Sequence, residues 1–471
     1  MRRLQIAILE AATSLLALLA LVGTLAKAQS SLPVVPGGAG FGMTTRAAYG
    51  CGTHPAILRV RTLDDGGPGS LRTALEASGP RVVIFETSGT IVLESDINIL
   101  SPCITIAGQT APSPGITLRG AMSATVSAGG INVYAHDVLL QHLRIRPGDG
   151  GPRLVPTSAH NALLVYREDA QNVVIDHCSM SWAGGKLVQV VQTGVPGNTT
   201  VWRSILSEGL YRAANVEYRT GDISSLSAHI GLSPGGQADI RQSLLAHSSD
   251  RNPEIERGNI AQFINNVVYD WGRDEHPYPW ATFVYSSGDN SLVWLLNVVG
   301  NVYVGGRGGS HPSLPLYAVG TWAGAVGSQL YMADNRLESA EAYDNHMSFD
   351  PRVGQPAVPL LGTPLAAAGV ETFVLANAGA RPLDRDAVDQ RIVNQVASRT
   401  GTMISSQDQV GGWPTLAVNT RALVPPTDPH SVRPSGYTAL EEWLHGYARQ
   451  VEGGTNPPNR PAPPLRLRVV R

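Results

Sequence analysis

Between Val82 and Val304 the chain returns again and again to one local pattern, a short aliphatic run that meets a His, Ser or Asn and then continues with more aliphatic residues. The polar markers are His142, His177, Ser204, Ser243, Asn266 and Asn297, which stand 35, 27, 39, 23 and 31 residues apart. These intervals are too irregular for a strict repeat, yet each is about one coil of a solenoid, with insertions placed in the turns. A unit of this kind cannot bury its own apolar faces, so neighbouring coils must do it. The pattern predicts an all-β, right-handed parallel β-helix whose Val-, Ile- and Leu-rich strands are covered by the next coil. It also predicts an internal ladder of Asn266, Asn297 and Asn301 amides, since such groups satisfy one another by stacking. A β-sandwich shares the regular strand spacing but does not require a polar residue at constant phase.

Composition agrees with many short strands joined by tight turns: 43% hydrophobic residues, 15% charged residues, 51 Gly and 33 Pro in 471 residues. A formal net charge of −2 excludes the basic excess of a nucleic-acid binder but leaves room for a locally basic site. Cysteines are too few for a disulfide framework, and their odd number, Cys51, Cys103 and Cys178, leaves at least one unpaired within a monomer. Cys51 and Cys103 are candidates for a bridge in an oxidising compartment, while Cys178 lies in an apolar run and reads as a buried space filler.

The ends differ from the middle. Residues 1–28 carry Arg2 and Arg3, an apolar stretch and the tripeptide AKA at 26–28, the layout of a secretory signal. No later run is long and apolar enough to suggest a membrane span. The β-helix is expected over 29–338. Over 339–456 the helical spacing of Val388, Ile392, Val393 and Val396, and of Leu440, Leu444 and Tyr447, predicts a helical extension packed on the solenoid. A Pro-rich basic tail follows at 457–471.

Several segments occur in an order that carries a resemblance: 36–42 (PGGAGFG), 60–75 (VRTLDDGGPGSLRTAL), 104–112 (ITIAGQTAP), 143–149 (LRIRPGD), 174–182 (VIDHCSMSW), 206–210 (LSEGL), 244–253 (LLAHSSDRNP) and 265–272 (NNVVYDWG). Together they resemble the pectate lyase superfamily, the β-helical polysaccharide lyases around polysaccharide lyase family 1. Segments 378–382 (AGARP) and 411–414 (GGWP) are similar to the helical extension of secreted bacterial members. The resemblance implies a substrate groove on an outer face and β-elimination of uronate-containing glycans. The proton at C5 becomes acidic only when positive charge neutralises the neighbouring carboxylate and stabilises the enolate-like intermediate.

Residues 250–257 (DRNPEIER) match the motif whose first arginine the family uses as the base, which implies that role for Arg251. Arginine is normally fully protonated, so such a role requires an unusual setting. Arg257 has the fork geometry suited to a substrate carboxylate. Without the flanking match, an arginine beside Asp250, Glu254 and Glu256 is an ordinary surface ion pair. The family's calcium needs several oxygen ligands. Where the resemblance leads one to expect acidic residues, this chain has Asn161, Gly185 and Lys186, with Gln189 further on. That weakens the expected calcium site and leaves Lys186 either as a cation in its place, as in the related pectin lyases, or as a solvated loop lysine.

Asn161 and His229 are further candidate substrate contacts, with a hydrogen-bonded structural histidine the alternative for His229. The aromatic-rich insertion at 274–280 either lines the groove or packs as a loop. A β-helical glycoside hydrolase needs paired carboxylates, for which the chain offers no Asp–Asp cluster; a non-catalytic glycan-binding β-helix is the other alternative. The expected partner is an acidic polysaccharide, with no nucleic acid and no membrane after signal removal. The expected state is a secreted monomer, extracellular or periplasmic.

Overall fold

The computed structural model describes residues 32–121, 128–150, 160–192, 196–213, 225–256, 258–272, 279–285, 291–306 and 315–452. The signal at 1–28, Arg257, the insertion at 274–278 and the tail at 457–471 lie outside the described residues. Among the described residues, strands form three parallel sheets of ten, nine and nine strands. The first runs from Ala56–Val60 to Gln329–Ala333, the second from Gly89–Leu93 to Arg336–Glu338, and the third from Ile97–Ile99 to Glu341–Asn345. Each coil contributes one strand to each sheet in turn, so the chain is a right-handed parallel β-helix, the hand that parallel crossovers take. No helix among the described residues is long and apolar enough to cross a membrane.

Strand alternation explains the core. Leu163, Val165, Val188, Val190, Ala228, Ile230 and Ile255 point inward from successive strands of the third sheet and join one continuous buried cluster. Burying side chains of this size contributes roughly 1.5–3 kcal/mol each. The outer faces differ. On the second sheet, Ile205, Leu244, Val267 and Val302 pack against Val370, Val374, Ile392 and Val396 of helices Ala367–Asn377 and Ala387–Ser398. On the first, Val82, Ile84 and Ala107 meet Leu440 and Leu444 of helix Ala439–Val451, and Val174 and Trp202 meet Val34, Val35 and Met43. The third sheet instead presents Asn98, Asn132, Gln189, His229 and Glu254 outward.

The polar ladder exists, but its phase corrects the sequence reading. The backbone N–H of Ser204 donates to Ser243 Oγ (3.1 Å), Ser243 to Asn266 Oδ1 (2.9 Å), Asn266 to Asn301 Oδ1 (2.9 Å) and Asn301 to Asn335 Oδ1 (2.9 Å). His142 and His177 stand one position earlier, at the left-handed corner residue that also includes Arg203, Gln242 and Asn265. Asn297 is not a rung: it sits within strand Leu295–Val299 and bonds the backbone of Ala357 and Val358 outside the coil. Two adjacent positions of the turn tolerate polar residues for different reasons, and sequence spacing merged them.

Cys51 and Cys103 form a disulfide. Cys178 is free and buried, and burial pushes its thiol up to about 12, so it is an inert filler.

Helix Ala387–Ser398 is fixed by charge as well as by apolar contact. Arg146, fully buried, donates to Asp386 and to Asp389 (2.7 Å), and Asp389 also accepts from Ser179 Oγ (2.7 Å). Burial pushes the Asp386 carboxyl up, but the charges of Arg146 and Arg144 overcome it and hold the carboxyl well below the usual range. A depressed carboxylate contributes stability above its unfolded pKa, and that stability is lost as the pH falls. Arg146→Ala leaves both carboxylates buried without their main partner and is expected to cost about 3–5 kcal/mol in chemical denaturation at neutral pH. The loss should shrink as acid protonates the carboxylates; a cost below 1 kcal/mol at neutral pH would contradict this reading.

Candidate active site

With two faces sealed by apolar packing, the polar row on the third sheet is where a solute can meet side chains held in register. Gln189 pairs with His229 across strands Lys186–Val191 and Leu226–Gly231, and His229 pairs with Glu254 in Glu254–Glu256. Their side chains connect. Asn161 donates to Gln189 Oε1 (2.7 Å), Gln189 Nε2 lies 3.3 Å from His229 Nδ1, and His229 Nε2 lies 3.0 Å from Glu256 Oε1. Asn161 also accepts from the backbone N–H of Lys186 (2.8 Å). Both side-chain ends of Asn161 are therefore committed to holding the row.

Arg251 stands at the entrance to strand Glu254–Glu256 with a left-handed φ of 61°. Its Nε lies 2.8 Å from Glu254 Oε2 and 3.7 Å from Asp250 Oδ2, and its backbone N–H donates to Asp250 Oδ1 (2.7 Å). The arginine side chain is 27% exposed whereas the Glu254 and Asp250 side chains are 4% and 5% exposed. A surface ion pair does not describe this arrangement. Two buried carboxylates lie against the backbone N–H and Nε of an arginine whose side chain is partly exposed. Sequence reasoning had grouped Glu256 with Arg251 as well, but Glu256 turns to His229.

Lys186 is the neighbouring cation. Burial lowers its pKa most, the charge of Arg251 lowers it further, and Glu254 opposes both. Glu254 moves the other way: burial raises its carboxyl, against the charges of Arg251 and His229. Lys186 opens strand Lys186–Val191 and is half-buried, so it is not a solvated loop lysine, and the charges of both Arg251 and Glu254 reach it. His229 sits between two partners, as a structural histidine does, and also faces outward in the same row.

A calcium ion in this row finds a poor donor set. It requires about 6–8 oxygen ligands, but the Asn161 amide is engaged with Gln189 and the backbone of Lys186, and Glu254 is paired with Arg251. Gly185 excludes an acidic replacement, because a Cβ there would lie 2.6 Å from Asn161 Oδ1 and 2.9 Å from the His160 carbonyl. These residues do not fit the ion.

Of the aromatic insertion, Trp280 is described and buried; its Nε1 donates to Asp344 (2.8 Å) and its ring packs edge-on against Trp322 (5.4 Å), so it is a packed residue. The sequence named Gln189 at the expected calcium positions and Glu254 beside Arg251, but not that Gln189, His229 and Glu254 stack in one row. The alternation of Glu254, Ile255 and Glu256 signalled a strand with its acids on one face, but the burial of Glu254 arises only from stacking.

No family model matches the chain. Among curated proteins, it is 30% identical over 460 residues to a probable pectate lyase C of Aspergillus fumigatus, covering 91% of this chain and 97% of that one. A probable pectate lyase C of Aspergillus oryzae is 29% identical over 443 residues, covering 88% and 94%. Among solved structures, the cedar pollen allergen jun a 1 overlaps 72% of this chain and 91% of its own, with a TM-score of 0.49 and 14% identity. A pectate lyase bound to hexasaccharide gives a TM-score of 0.48 with 13% identity, covering 72% and 96%.

Glu254→Gln removes the one charge that raises the Lys186 pKa. The lysine should therefore titrate at lower pH than in the parent protein, by NMR of an isotopically labelled side chain; an unchanged or higher value would mean that the charge of Glu254 does not reach it.

Proposed function

The chain belongs to the pectate lyase family, and on that premise we propose that it cleaves an acidic polysaccharide of the pectate or pectin type on the third sheet without a calcium ion, using Arg251 and Lys186. It is a polysaccharide lyase, a carbon–oxygen lyase. Calcium typically serves such enzymes by neutralising the uronate carboxylate. Here the observation that carries the proposal is that a half-buried lysine opens a strand of the third sheet, two strands from Glu254–Glu256, where the family's acidic ligands are expected.

The chemistry divides between Lys186 and Arg251. Lys186 neutralises the carboxylate beside C5, so that the C5 proton becomes acidic. Arg251, as the neutral guanidine, takes that proton and becomes a guanidinium; the C5–H electron pair becomes the C4–C5 double bond, and the C4–O bond breaks with its pair on the leaving oxygen, which takes a proton from water to give the new chain end. Asp250 and Glu254 lie within ion-pair distance of Arg251 Nε and restrain its side chain there. Gln189 and His229 position the sugar through hydrogen bonds, and Arg257 supplies a second guanidinium for a carboxylate. The enzyme acts as a secreted monomer, in keeping with the signal-like segment at 1–28.

The test uses the mature protein with polygalacturonate and methyl-esterified pectin, with calcium or with chelator, following ultraviolet absorbance of the unsaturated product. Product formation should persist in chelator. Loss of all activity in chelator, restored by calcium, would overturn the calcium-free reading, and reducing ends without absorbance would indicate hydrolysis. Arg251→Ala should lower kcat by about 10²- to 10⁴-fold. Because the Lys186 pKa is lowered, its charge is lost as the pH rises. Lys186→Arg, which stays charged, should therefore extend activity to higher pH, whereas an unchanged alkaline limb would remove Lys186 from the mechanism.

A further inference from the structure

A second cluster of titratable side chains lies at the corner between the first and second sheets, across the β-helix from the third. His142 and His177 occupy the left-handed corner residue of adjacent coils, with rings stacked 5.1 Å apart at 7°. Asp176 ends strand Val173–Asp176, and Glu452 follows helix Ala439–Val451 directly. All four side chains are at most 3% exposed. One ligand atom from each lies within 4.8 Å of the others.

The hydrogen bonds around the cluster prepare it for a cation. The Nδ1 of His142 lies 2.7 Å from the Ala380 carbonyl, which only accepts, so Nδ1 carries the proton and Nε2 presents a lone pair. That Nε2 has no hydrogen-bond partner and faces Glu452 Oε1 at 3.7 Å, acceptor against acceptor. Glu452 Oε1 is also 3.9 Å from His177 Nδ1, and His177 Nδ1 is 2.6 Å from Asp176 Oδ1. The second oxygen of Asp176 is held by Gln141 (2.7 Å), whose own oxygen accepts from Gln109 (2.9 Å). A carbonyl fixing the tautomer of a histidine and an amide orienting a carboxylate are the outer contacts that metal ligands need.

We propose that His142, Asp176, His177 and Glu452 bind one divalent cation of the zinc class, which ties the end of the last helix to the β-helix. Two imidazoles and two carboxylates make a four-coordinate set that suits zinc, with bond lengths of about 2.0–2.2 Å. Calcium, which takes about 6–8 oxygens, is a poor match. Two neutral imidazoles, two carboxylates and one divalent cation are together uncharged, which relieves the cost of burying the carboxylates. Binding displaces the proton shared between His177 and Asp176. The site is structural, since no coordination position opens to solvent. The Cys103, His136 and Asp137 group is not equivalent, because Cys103 is in the disulfide.

The test is elemental analysis of untagged mature protein, then chelation, followed by Zn²⁺ or Ca²⁺ addition under calorimetry and thermal melting. One zinc per chain is expected, with a melting point that falls on chelation and is restored by Zn²⁺ but not by Ca²⁺. Glu452→Gln, near the end of the described chain and almost isosteric, should weaken Zn²⁺ binding at least about tenfold. A chelated protein that takes up no Zn²⁺ and melts unchanged, or a Glu452→Gln variant with parental Zn²⁺ affinity, would overturn the proposal and leave a proton-sharing network. Lyase activity is not the readout, so the outcome is independent of the catalytic reading.

Discussion

Parallel, in-register stacking of coils is the constraint on which everything else in this molecule rests. Adjacent strands stand about 4.8 Å apart, so a residue type placed at one phase of the coil becomes a row of side chains running along the helix. Inward rows become the core. Outward rows on the first and second sheets are covered by the N-terminal segment and the C-terminal helices, through apolar contacts and through ion pairs such as Arg146 with Asp386 and Asp389. The outward row on the third sheet is polar, and stacking assembles Gln189, His229 and Glu254 from three separate coils. The site is thus a consequence of which face was left uncovered.

The same geometry creates the electrostatics. Stacking buries Glu254 and half-buries Lys186 beside Arg251, and burial moves the carboxyl up and the ammonium down. In water these shifts would vanish, because each group would be solvated separately. Within the row the charges of the three groups act on one another. Asn161 and Gly185 complete the difference from a calcium site: one is committed to the row and the other leaves no room for an acid.

The β-helix was legible because burial by neighbouring coils demands aliphatic strands at coil-length intervals, and the helices of the extension were legible from Val388, Ile392 and Val396. The phase of the ladder was not. His177 at a left-handed corner and Ser204 on the next position look alike as polar marks, and Asn297 is polar because it bonds Ala357 and Val358. Arg251 was singled out through its flanking residues. Its setting was hidden, because the burial of Asp250 and Glu254 depends on coils that are distant in sequence. Glu452 lies still further from His142 and Asp176, and only folding brings them together.

The most direct test is a crystal structure of Arg251→Ala with an oligogalacturonate bound in the presence of calcium. The expected result is a sugar carboxylate on the third sheet in contact with Lys186, with C5 facing the position vacated by the arginine. A calcium ion bridging that carboxylate to Asn161, Gln189 or Glu254, with Lys186 turned away, would contradict it.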